Sequence, residues 1–372
     1  MSDINKLFNE LPDDEQKYTD LIKERFGISE LNILNKSAVF GTENLGKKLL
    51  YKFRDLGIEI STFSDNNKNK WGNFIDGIPI IEPEELKNNP EQLVIIASKY
   101  VREIFAQLKS LGVKKVLPHY VLSVLFPEYF PNELHKKIIK DIYKDRRKIE
   151  RVYNTLSESK SKELFLNILN FRISLWPEDL PLYSSNQYFP SFFPLEQEET
   201  YVDAGAFDGD TLRQFLNRQK GMFNKYIALE PDEQNYKKLL QSIPEIYKER
   251  IFTYPVGAGA IKSKAFFCNY GREDSMIADD GDNEIDIIPL DELLIDEKVT
   301  TIKIDVEGYE PQVLEGAKKI IKEKKPKLAV CVYHRPDHLW ELPLQIISYN
   351  SNYKLYLRHY EPEIYGTVLY GI

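Results

Sequence analysis

The stretch "YVDAGAFDGDTLRQF", residues 201–215, decides the fold of the C-terminal half of the chain. Its apolar start predicts a short strand, its glycines predict a turn, and the residues after Gly209 predict a helix. A strand, a glycine turn and a helix in this order are typical of nucleotide-binding loops in α/β sheets. The turn is unusually acidic, however, because Asp203, Asp208 and Asp210 crowd it.

The charges of this turn indicate what it binds. Gly205 and Gly209 let the backbone approach a ligand closely, and a helix starting near Thr211 offers free N–H groups to an anion. The carboxylates would repel a pyrophosphate, since two charges about 4 Å apart interact by roughly 4 kcal/mol at an effective dielectric of about 20. S-adenosylmethionine fits the turn better, because it carries a carboxylate, an ammonium and a sulfonium group but no phosphate.

A second acidic segment is "YIALEPDE", residues 226–233. Glu230 ends the next predicted strand, 25 residues after Gly205. Related α/β sites place an acid about 20 residues past the glycine turn, where it binds ribose hydroxyls. The spacing therefore indicates a ribose-binding role for Glu230.

A third acidic segment is "TIKIDVEGYEPQVLEGAKKII", residues 301–321. Asp305 and Glu307 follow a predicted strand closely, where chemistry is expected in an open sheet. Glu310 lies at the start of the following helix, where the helix dipole favours an acid for structural reasons alone. His334 ends the strand "KLAVCVYH" and should face the same edge. We take Asp305, Glu307 and His334 as the candidate catalytic residues.

The C-terminal half predicts an α/β sheet. Its apolar strands are "TYVDAG", "KYIALE", "IFTYPVG", "TTIKIDV", "KLAVCVY", "YKLYLRH" and "TVLYGI". The last two lie too close for a full helix between them, so we expect an antiparallel pair beside five parallel strands. That is the outline of a class I methyltransferase sheet, a Rossmann-like fold. The region 265–294 resembles a β-rich insertion followed by a helix start.

The N-terminal half predicts a second, smaller Rossmann-like α/β domain, because short apolar strands alternate with helices. Its turn "VFGTENLGKKLL" has two glycines, and Asp65 ends the next strand 24 residues after Gly41. A two-glycine match is weak evidence for a nucleotide site. The expected organisation is a helical segment at 1–35, the Rossmann-like domain at 36–125, a helical connector at 126–186 and the larger domain at 187–372.

Composition excludes several protein classes. The chain has 372 residues, of which 42% are hydrophobic and 29% charged, as in ordinary globular proteins of two or three domains. The net charge of −8 disfavours nonspecific nucleic-acid binding. No apolar run is long enough for a membrane helix, the first residues do not resemble a signal peptide, and two cysteines do not make a disulfide framework. We expect a cytoplasmic protein.

The motifs "VDAGAFDGDT", "ALEPD", "PLDEL" and "IKIDVEGYEPQVLEGA", in this order, resemble the FkbM-type S-adenosylmethionine-dependent methyltransferases. The resemblance covers residues 187–372 and implies methyl transfer to an oxygen, commonly a sugar hydroxyl of a glycan or antibiotic precursor. The residues that would line the cofactor are Asp203, Gly205, Ala206, Phe207, Asp208, Gly209, Asp210, Thr211, Glu230, Pro231 and Gly257. The sequence departs from the family at "YGTVLY", residues 365–370, where the family pattern is "ETVLY". Gly366 occupies the position of the family's glutamate. Glu361 or Glu363 could take the place of that glutamate here.

Methyl transfer to a hydroxyl requires positioning and a base within hydrogen-bond reach. Asp305, Glu307 and His334 are the candidates for the base, and the sequence does not support a metal site, although aspartates could instead hold Mg²⁺. We expect structural or substrate-shaping roles for His338 and His359. Tyr188 and Phe189 could cap the cofactor, stack on a sugar or pack in the core.

The preferred hypothesis is an O-methyltransferase acting on a sugar, nucleotide sugar or glycan precursor, with no nucleic-acid partner. The first alternative is an enzyme run by the N-terminal domain that binds NAD(P) or a nucleotide sugar. The second is a noncatalytic scaffold that retains the cofactor pocket. The sequence does not identify the acceptor, and it does not decide whether the protein forms a homodimer.

Overall fold

The structure is a computed structural model that describes residues 3–132, 138–268, 276–278 and 283–372. It divides the chain into two compact units. The N-terminal unit comprises Met1–Arg146, Phe165–Leu182 and Glu361–Ile364, and the C-terminal unit comprises Arg147–Leu164, Tyr183–Tyr360 and Tyr365–Ile372. The segment predicted as a connector, 126–186, is divided between them. No helix in the described parts of the chain has the length and hydropathy needed to cross a bilayer.

The N-terminal unit contains one six-stranded sheet in the order β3-β4-β2-β1-β5-β6. The strands are β1 (Ser37–Phe40), β2 (Ile60–Ser64), β3 (Phe74–Ile75), β4 (Ile78–Ile81), β5 (Leu93–Ile96) and β6 (Lys115–Pro118). The helices are α1 (Asp3–Asn9), α2 (Glu15–Phe26), α3 (Asn44–Asp55), α4 (Val101–Ser110), α5 (Leu122–Leu125) and α6 (Ile138–Lys144). All pairings are parallel except that of β3 with β4.

The four strands predicted for this unit are confirmed as β1, β2, β5 and β6. Every residue of β1 and β5 is buried, as expected for central parallel strands covered on both faces. The short β3–β4 hairpin was not predicted, because its central turn, Asp76-Gly77, lies within a polar segment that also contains prolines. Asp76 and Gly77 both have positive φ, which suits a tight hairpin turn.

The helices α7 (Arg146–Thr155) and α8 (Ser159–Ser174) precede the sheets of the C-terminal unit, and the residues of α8 are divided between the units. The main strands of this unit are β7 (Thr200–Ala204), β8 (Lys225–Leu229), β9 (Ile251–Tyr254), β14 (Thr301–Ile304), β15 (Lys327–Cys331), β16 (Leu355–His359) and β17 (Thr367–Gly371). The helices between them are α9 (Asp210–Gln219), α10 (Glu233–Gln241), α11 (Leu290–Leu293), α12 (Glu310–Gly316), α13 (Lys318–Glu323) and α14 (His338–Tyr349).

The seven strands form a sheet in the order β16-β17-β15-β14-β7-β8-β9. Five strands are parallel, and β17 runs antiparallel to both of its neighbours, β15 and β16. The predicted sheet of five parallel strands with an antiparallel pair is therefore confirmed. Strand order reverses between β7 and β14, which creates the crevice where open α/β sheets bind ligands.

A second sheet of four strands has the order β10-β13-β11-β12. Its strands are β10 (Gly257–Ala258), β11 (Ser263–Cys268), β12 (Met276–Ala278) and β13 (Asn283–Ile288). It corresponds to the predicted β-rich insertion, of which residues 269–275 and 279–282 lie outside the described residues.

Cys331 is a buried free thiol.

Aromatic side chains fill the core beside β7 and β8. Tyr201 and Tyr226, on neighbouring strands, stack with ring centroids 5.4 Å apart, and Phe215 of α9 packs on both. All three side chains are fully buried. This packing anchors α9 to the sheet and so fixes the turn that precedes the helix.

Candidate active site

Four neighbouring strands carry the candidate residues to one edge of the sheet. Glu230 follows β8, Asp203 lies near the end of β7, Asp305 follows β14, and His334 lies three residues after β15. Because these strands are adjacent and parallel, their C-terminal ends lie side by side. The residues selected from three separate motifs therefore meet in one region.

The glycine turn lies directly against the end of β14. Gly205 has a φ of 85°, and a Cβ added to it would lie 1.8 Å from the backbone oxygen of Asp305. Only glycine is compatible with both the backbone angle and the close approach. The turn predicted to bind the cofactor and the predicted catalytic residues are thus contiguous.

The start of α9 has unpartnered donors. Gly209, with a φ of 86°, occupies the N-cap position and supplies no side-chain oxygen to the first backbone N–H groups of the helix. Phe207 also has a positive φ, 48°, and its ring is 39% exposed. An uncapped helix start is a favourable place for the carboxylate of a ligand.

Asp203 is completely buried. Its carboxylate pairs with Lys303 of β14, whose Nζ lies 2.8 Å from Oδ1, and it accepts a hydrogen bond from the hydroxyl of Tyr226. The ammonium of Lys303 also donates to the backbone oxygen of Gly205. Burial raises the pKa of Asp203, although Lys303 acts in the opposite direction. Asp203 and Lys303 together hold the glycine turn in place.

The other two aspartates of the turn differ in their partners. Asp208 pairs with Arg213, at 2.7 Å, and that guanidinium also donates to the Asp208 backbone oxygen. Asp210 is exposed at the first residue of α9. The turn is therefore less negative than its sequence indicates, because side-chain cations compensate two of its three aspartates. Repulsion of a pyrophosphate is correspondingly weaker than the bare sequence indicates.

Glu230 is the acid whose surroundings best suit a ligand. Its oxygens accept hydrogen bonds from the backbone N–H groups of Phe207, at 2.8 Å, and Asp232, at 2.9 Å. Burial raises the pKa of Glu230 to about 7, and the two backbone donors only partly oppose the rise. A carboxylate has room for about four hydrogen bonds, so Glu230 keeps acceptor capacity.

The remaining residues predicted to line the cofactor are buried or half-buried. Ala206 and Thr211 are fully buried, and the N–H of Ala206 donates to the backbone oxygen of Leu229. Pro231 is half-buried, directly after Glu230, and Gly257 is buried in β10. These residues support the backbone of the site more than they offer groups to a ligand.

Asp305 accepts hydrogen bonds from two tyrosines. The Tyr188 hydroxyl lies 2.7 Å from Oδ2, and the Tyr333 hydroxyl lies 3.2 Å from Oδ1. Burial raises the pKa of Asp305, but Lys303 and His334 outweigh it, so the pKa lies below its ordinary value. Tyr188, which the sequence offered as a cap, a stacking surface or a core residue, is buried and orients this carboxylate.

His334 is surrounded by three carboxylates. Its Nδ1 lies 2.7 Å from Glu310 Oε1, while its Nε2 lies 3.2 Å from Glu307 Oε2 and 3.5 Å from Asp305 Oδ1. Burial lowers the pKa of His334, but Glu310 and Glu307 outweigh it and raise the pKa well above its ordinary value. Burial raises the pKa of Glu307, whose backbone φ of 51° is unusual for a non-glycine residue.

Glu310 holds this cluster together. Besides pairing with His334, its Oε1 accepts from the backbone N–H groups of Val306 and Gly308, and its Oε2 lies 3.1 Å from His338 Nδ1. The side chain is fully buried. Despite that burial, the two histidines hold the pKa of Glu310 far below its ordinary value. The helix-dipole explanation for Glu310 was thus incomplete.

Other residues selected from the sequence have structural surroundings. His359 is buried and its Nδ1 contacts the hydroxyl of Thr367 at 2.9 Å. Phe189 is buried in the aromatic core. Glu361 and Glu363 belong to the N-terminal unit, where Glu361 pairs with Lys99.

The departure at Gly366 has a backbone explanation. Gly366 has a φ of 87°, in the left-handed region that a glutamate adopts only with strain. Its carbonyl accepts from the Tyr360 N–H at 3.1 Å, which closes the turn between β16 and β17.

Two residues of this cluster were not selected as site residues from the sequence. Lys303 lies within the fully buried strand β14, where only its charge could have drawn attention. Glu310 was assigned to a helix start because pairing with histidines 24 and 28 residues away is invisible to local patterns. A lysine within an apolar strand, followed closely by acidic residues, is the sequence pattern that indicates such a network.

Two family models match parts of the chain. Residues 203–355 match the family model described as the methyltransferase FkbM domain, and residues 33–117 match that of C2185-like N-terminal domains. No functionally curated protein matches the chain.

Among solved structures, the chain is similar to methyltransferase FkbM from Methylobacillus flagellatus KT. The identity is 23% and the TM-score 0.71, over 96% of this chain and 99% of that one. An rRNA methylase from Streptococcus thermophilus matches at 18% identity and a TM-score of 0.30, over 48% of this chain and 87% of that one. The first match establishes the shared fold, and the second is too weak to support an argument.

Proposed function

We propose that the chain transfers the methyl group of S-adenosylmethionine to a hydroxyl of a sugar, nucleotide sugar or glycan precursor, because residues 203–355 match the FkbM methyltransferase domain model. The observation that carries the proposal is the contact between the two halves of the site. The Gly205 turn, suited to the cofactor, lies against Asp305, which belongs to the cluster suited to the acceptor.

Each charged part of S-adenosylmethionine has a counterpart. The uncapped start of α9 suits the carboxylate, and Glu230 suits the ribose hydroxyls. The sulfonium is favoured near the ionised carboxylates at the end of β14, since opposite charges attract most strongly away from water. These features favour a zwitterion joined to a nucleoside.

A cavity beside the cluster suits the acceptor. The cavity has a volume of about 580 Å³, within the range of small-ligand pockets. Its walls include Gly308, Arg335 and His338, which adjoin the cluster in sequence, and Gln312 and Glu341. The polar side chains among these walls suit the hydroxyl groups of a sugar.

Three cations of the cavity favour an acceptor that carries a phosphate. They are Lys148, Arg151 and Arg335. Lys148 pairs with Glu341, and Arg335 lies 3.9 Å from Asp337, so the cavity mixes both charges. Arginine binds phosphate oxygens through two parallel N–H groups, which makes Arg151 the preferred contact. A nucleotide sugar or a phosphorylated sugar fits this lining.

The reaction is an in-line displacement. The acceptor oxygen attacks the methyl carbon, the bond from that carbon to sulfur breaks, and the sulfur leaves as a neutral thioether. The hydroxyl proton passes to a carboxylate oxygen of the cluster, for which Glu307 is accessible because its side chain is 38% exposed. The protein contributes mainly by holding the two reactants in line.

A panel of sugars, nucleotide sugars and glycolipids, incubated with S-adenosylmethionine and read by mass spectrometry, tests this function. We expect one acceptor to gain the mass of one CH₂ group, and Arg151→Ala to raise KM for a phosphorylated acceptor without changing cofactor affinity. Glu315→Gln, an exposed change on α12, is the matched control. Calorimetry in which NAD binds and S-adenosylmethionine does not would overturn the proposal.

A further inference from the structure

We propose that Asp305, Glu307 and His334 bind one divalent transition-metal cation at the C-terminal ends of β14 and β15. The inference that a cation binds depends on the structure around these three side chains and not on the proposed function. The cation's part in catalysis rests on the proposed function.

The three side chains converge on one point. One ligand atom from each lies within 4.8 Å of the other two. His334 Nε2 is 3.2 Å from Glu307 Oε2 and 3.5 Å from Asp305 Oδ1. Ligands about 2.1 Å from a common cation are separated by roughly 3.0 to 3.5 Å in octahedral or tetrahedral geometry. The observed separations from His334 lie in that range.

The imidazole nitrogen that faces this point has no well-aligned hydrogen bond. The His334 side chain is only 7% exposed, yet its Nε2 makes no such bond to any residue that the structure describes. A buried polar atom without a partner costs about 1–3 kcal/mol. A coordinated cation would remove that cost, because it binds the lone pair of Nε2 directly.

The other side of the imidazole is prepared for coordination. Nδ1 contacts the buried carboxylate of Glu310 at 2.7 Å, which fixes the ring and leaves the Nε2 lone pair for a metal. The carboxylate of Asp305 is oriented in the same way by the hydroxyls of Tyr188 and Tyr333. Hydrogen bonds of this kind behind each ligand are the usual support of a protein metal site.

The local charge also favours a cation. Three carboxylates, those of Asp305, Glu307 and Glu310, surround a single imidazole. The nearest lysine, Lys303, is already paired with Asp203. One proton on His334 would leave two negative charges in a mostly buried cluster, whereas a divalent cation leaves one. Reducing uncompensated buried charge lowers the free energy of the site.

The ligand types indicate the class of metal. One imidazole nitrogen and two carboxylate oxygens suit Mn²⁺, Fe²⁺, Co²⁺ or Zn²⁺ better than Mg²⁺ or Ca²⁺, which prefer oxygen alone. Three protein ligands leave at least one coordination position open, as in catalytic metal sites. The acceptor hydroxyl would occupy that position. The second oxygen of Glu307 then takes the hydroxyl proton as the oxygen attacks the methyl carbon.

Electron paramagnetic resonance of Mn²⁺ tests the site on the full chain after treatment with a chelator. Binding removes the sharp signal of free Mn²⁺, so a titration gives both stoichiometry and affinity. We expect one ion per chain, with binding lost in Asp305→Asn and in His334→Gln. Glu310→Gln should weaken binding by about 10- to 100-fold, the usual cost of removing a partner behind a ligand. Glu315→Gln should bind as the unaltered chain does.

Circular dichroism of each variant shows whether it is folded, so that loss of Mn²⁺ binding is not mistaken for loss of fold. Glu307→Gln, at a partly exposed position, provides a further ligand variant. Absence of Mn²⁺ binding, or equal binding in the ligand variants, overturns the metal site and leaves His334 as a cation paired with carboxylates. Methyl transfer that persists in chelator would then uphold the proposed function alone. Mn²⁺ binding without any S-adenosylmethionine binding would uphold the metal site and reject the proposed function.

Discussion

The two glycine turns of the molecule each lead to an acid at the end of the next strand, but the partners of the two acids differ. In the N-terminal unit, Asp65 accepts from the backbone and hydroxyl of Thr42 and lies 3.2 Å from Lys70 Nζ. In the C-terminal unit, Glu230 accepts only from the backbone of Phe207 and Asp232, among the residues that the structure describes.

This difference changes the pKa of each acid. Burial raises the pKa of Asp65, but the hydrogen bonds from Thr42, Asn67 and Lys70 outweigh it and leave the pKa below its ordinary value. Burial dominates at Glu230 and raises its pKa to about 7. One turn satisfies its acid internally, while the other keeps an acid that gains from an external donor. Two similar turns therefore differ in whether their acid keeps acceptor capacity for a ligand.

The largest expected effect concerns the lysines of the two turns. Lys303→Met should destabilise the protein by about 3–5 kcal/mol, because it leaves the fully buried Asp203 without its cation. Lys70→Met should cost no more than about 1 kcal/mol, because its pairs with Asp65 and Glu43 are more exposed. Calorimetric unfolding measures both. Equal losses would mean that the two turns are not distinguished by charge burial.

The next effect compares Gly205→Ala with Gly41→Ala. Both changes force a Cβ onto a backbone oxygen, at 1.8 Å from that of Asp305 and 2.3 Å from that of Ala97. Both should lower the melting temperature. Only Gly205→Ala should weaken S-adenosylmethionine binding, by roughly 100-fold, since small displacements of a positioned ligand have effects of this size. Isothermal titration measures the affinity, and a comparable loss in Gly41→Ala would contradict the assignment of the ligand to the C-terminal turn.

The smallest effect is a pH dependence. Affinity for 5′-methylthioadenosine, which keeps the ribose but lacks the amino acid, should rise about tenfold from pH 6 to pH 8 as Glu230 ionises, given its pKa of about 7. Glu230→Gln should bind more weakly at pH 8 and lose the dependence, whereas Asp65→Asn should keep both. A wild-type affinity that does not change with pH would place the ribose elsewhere.

The stability of the free protein should vary in the opposite sense. A carboxyl whose folded-state pKa is raised contributes stability that is fully present below its ordinary value of 4.5 and is lost as pH rises towards 7. Asp65, with a lowered pKa, contributes stability above its ordinary value and loses it as pH falls. Binding of a ribose should offset the cost at Glu230 because its hydroxyls donate to the ionised carboxylate.

Much of the fold was predictable because it depends on local patterns. The strands ending at Ala204, Leu229 and Ile304 are short apolar runs followed by glycine or acidic residues. The antiparallel final pair followed from the short connection between β16 and β17. The strand end also identified Asp305 and His334 as neighbours, since adjacent parallel strands finish at one edge.

The partners of these residues could not be predicted, because they depend on pairings distant in sequence. Asp203 was selected as a cofactor residue from its motif, but its partner Lys303 lies 100 residues away on a strand paired with β7. Glu310 has the local signature of a helix start, and only the folded chain brings His334 and His338 to it. The net charge around these acids therefore differs from the charge of their own sequence segments, because their cationic partners are distant in sequence.

The position of β17 has a consequence for synthesis of the protein. Residues 367–371 are made after every other strand of the main sheet, yet they pair with both β15 and β16. Until they emerge from the ribosome, β16 has no partner strand in the main sheet and β15 presents an unpaired edge whose residues are mostly buried in the finished fold. Such an edge readily pairs with other nascent chains. Synthesis of residues 367–371, rather than formation of the glycine turn, should therefore limit when the newly made sheet becomes safe from aggregation.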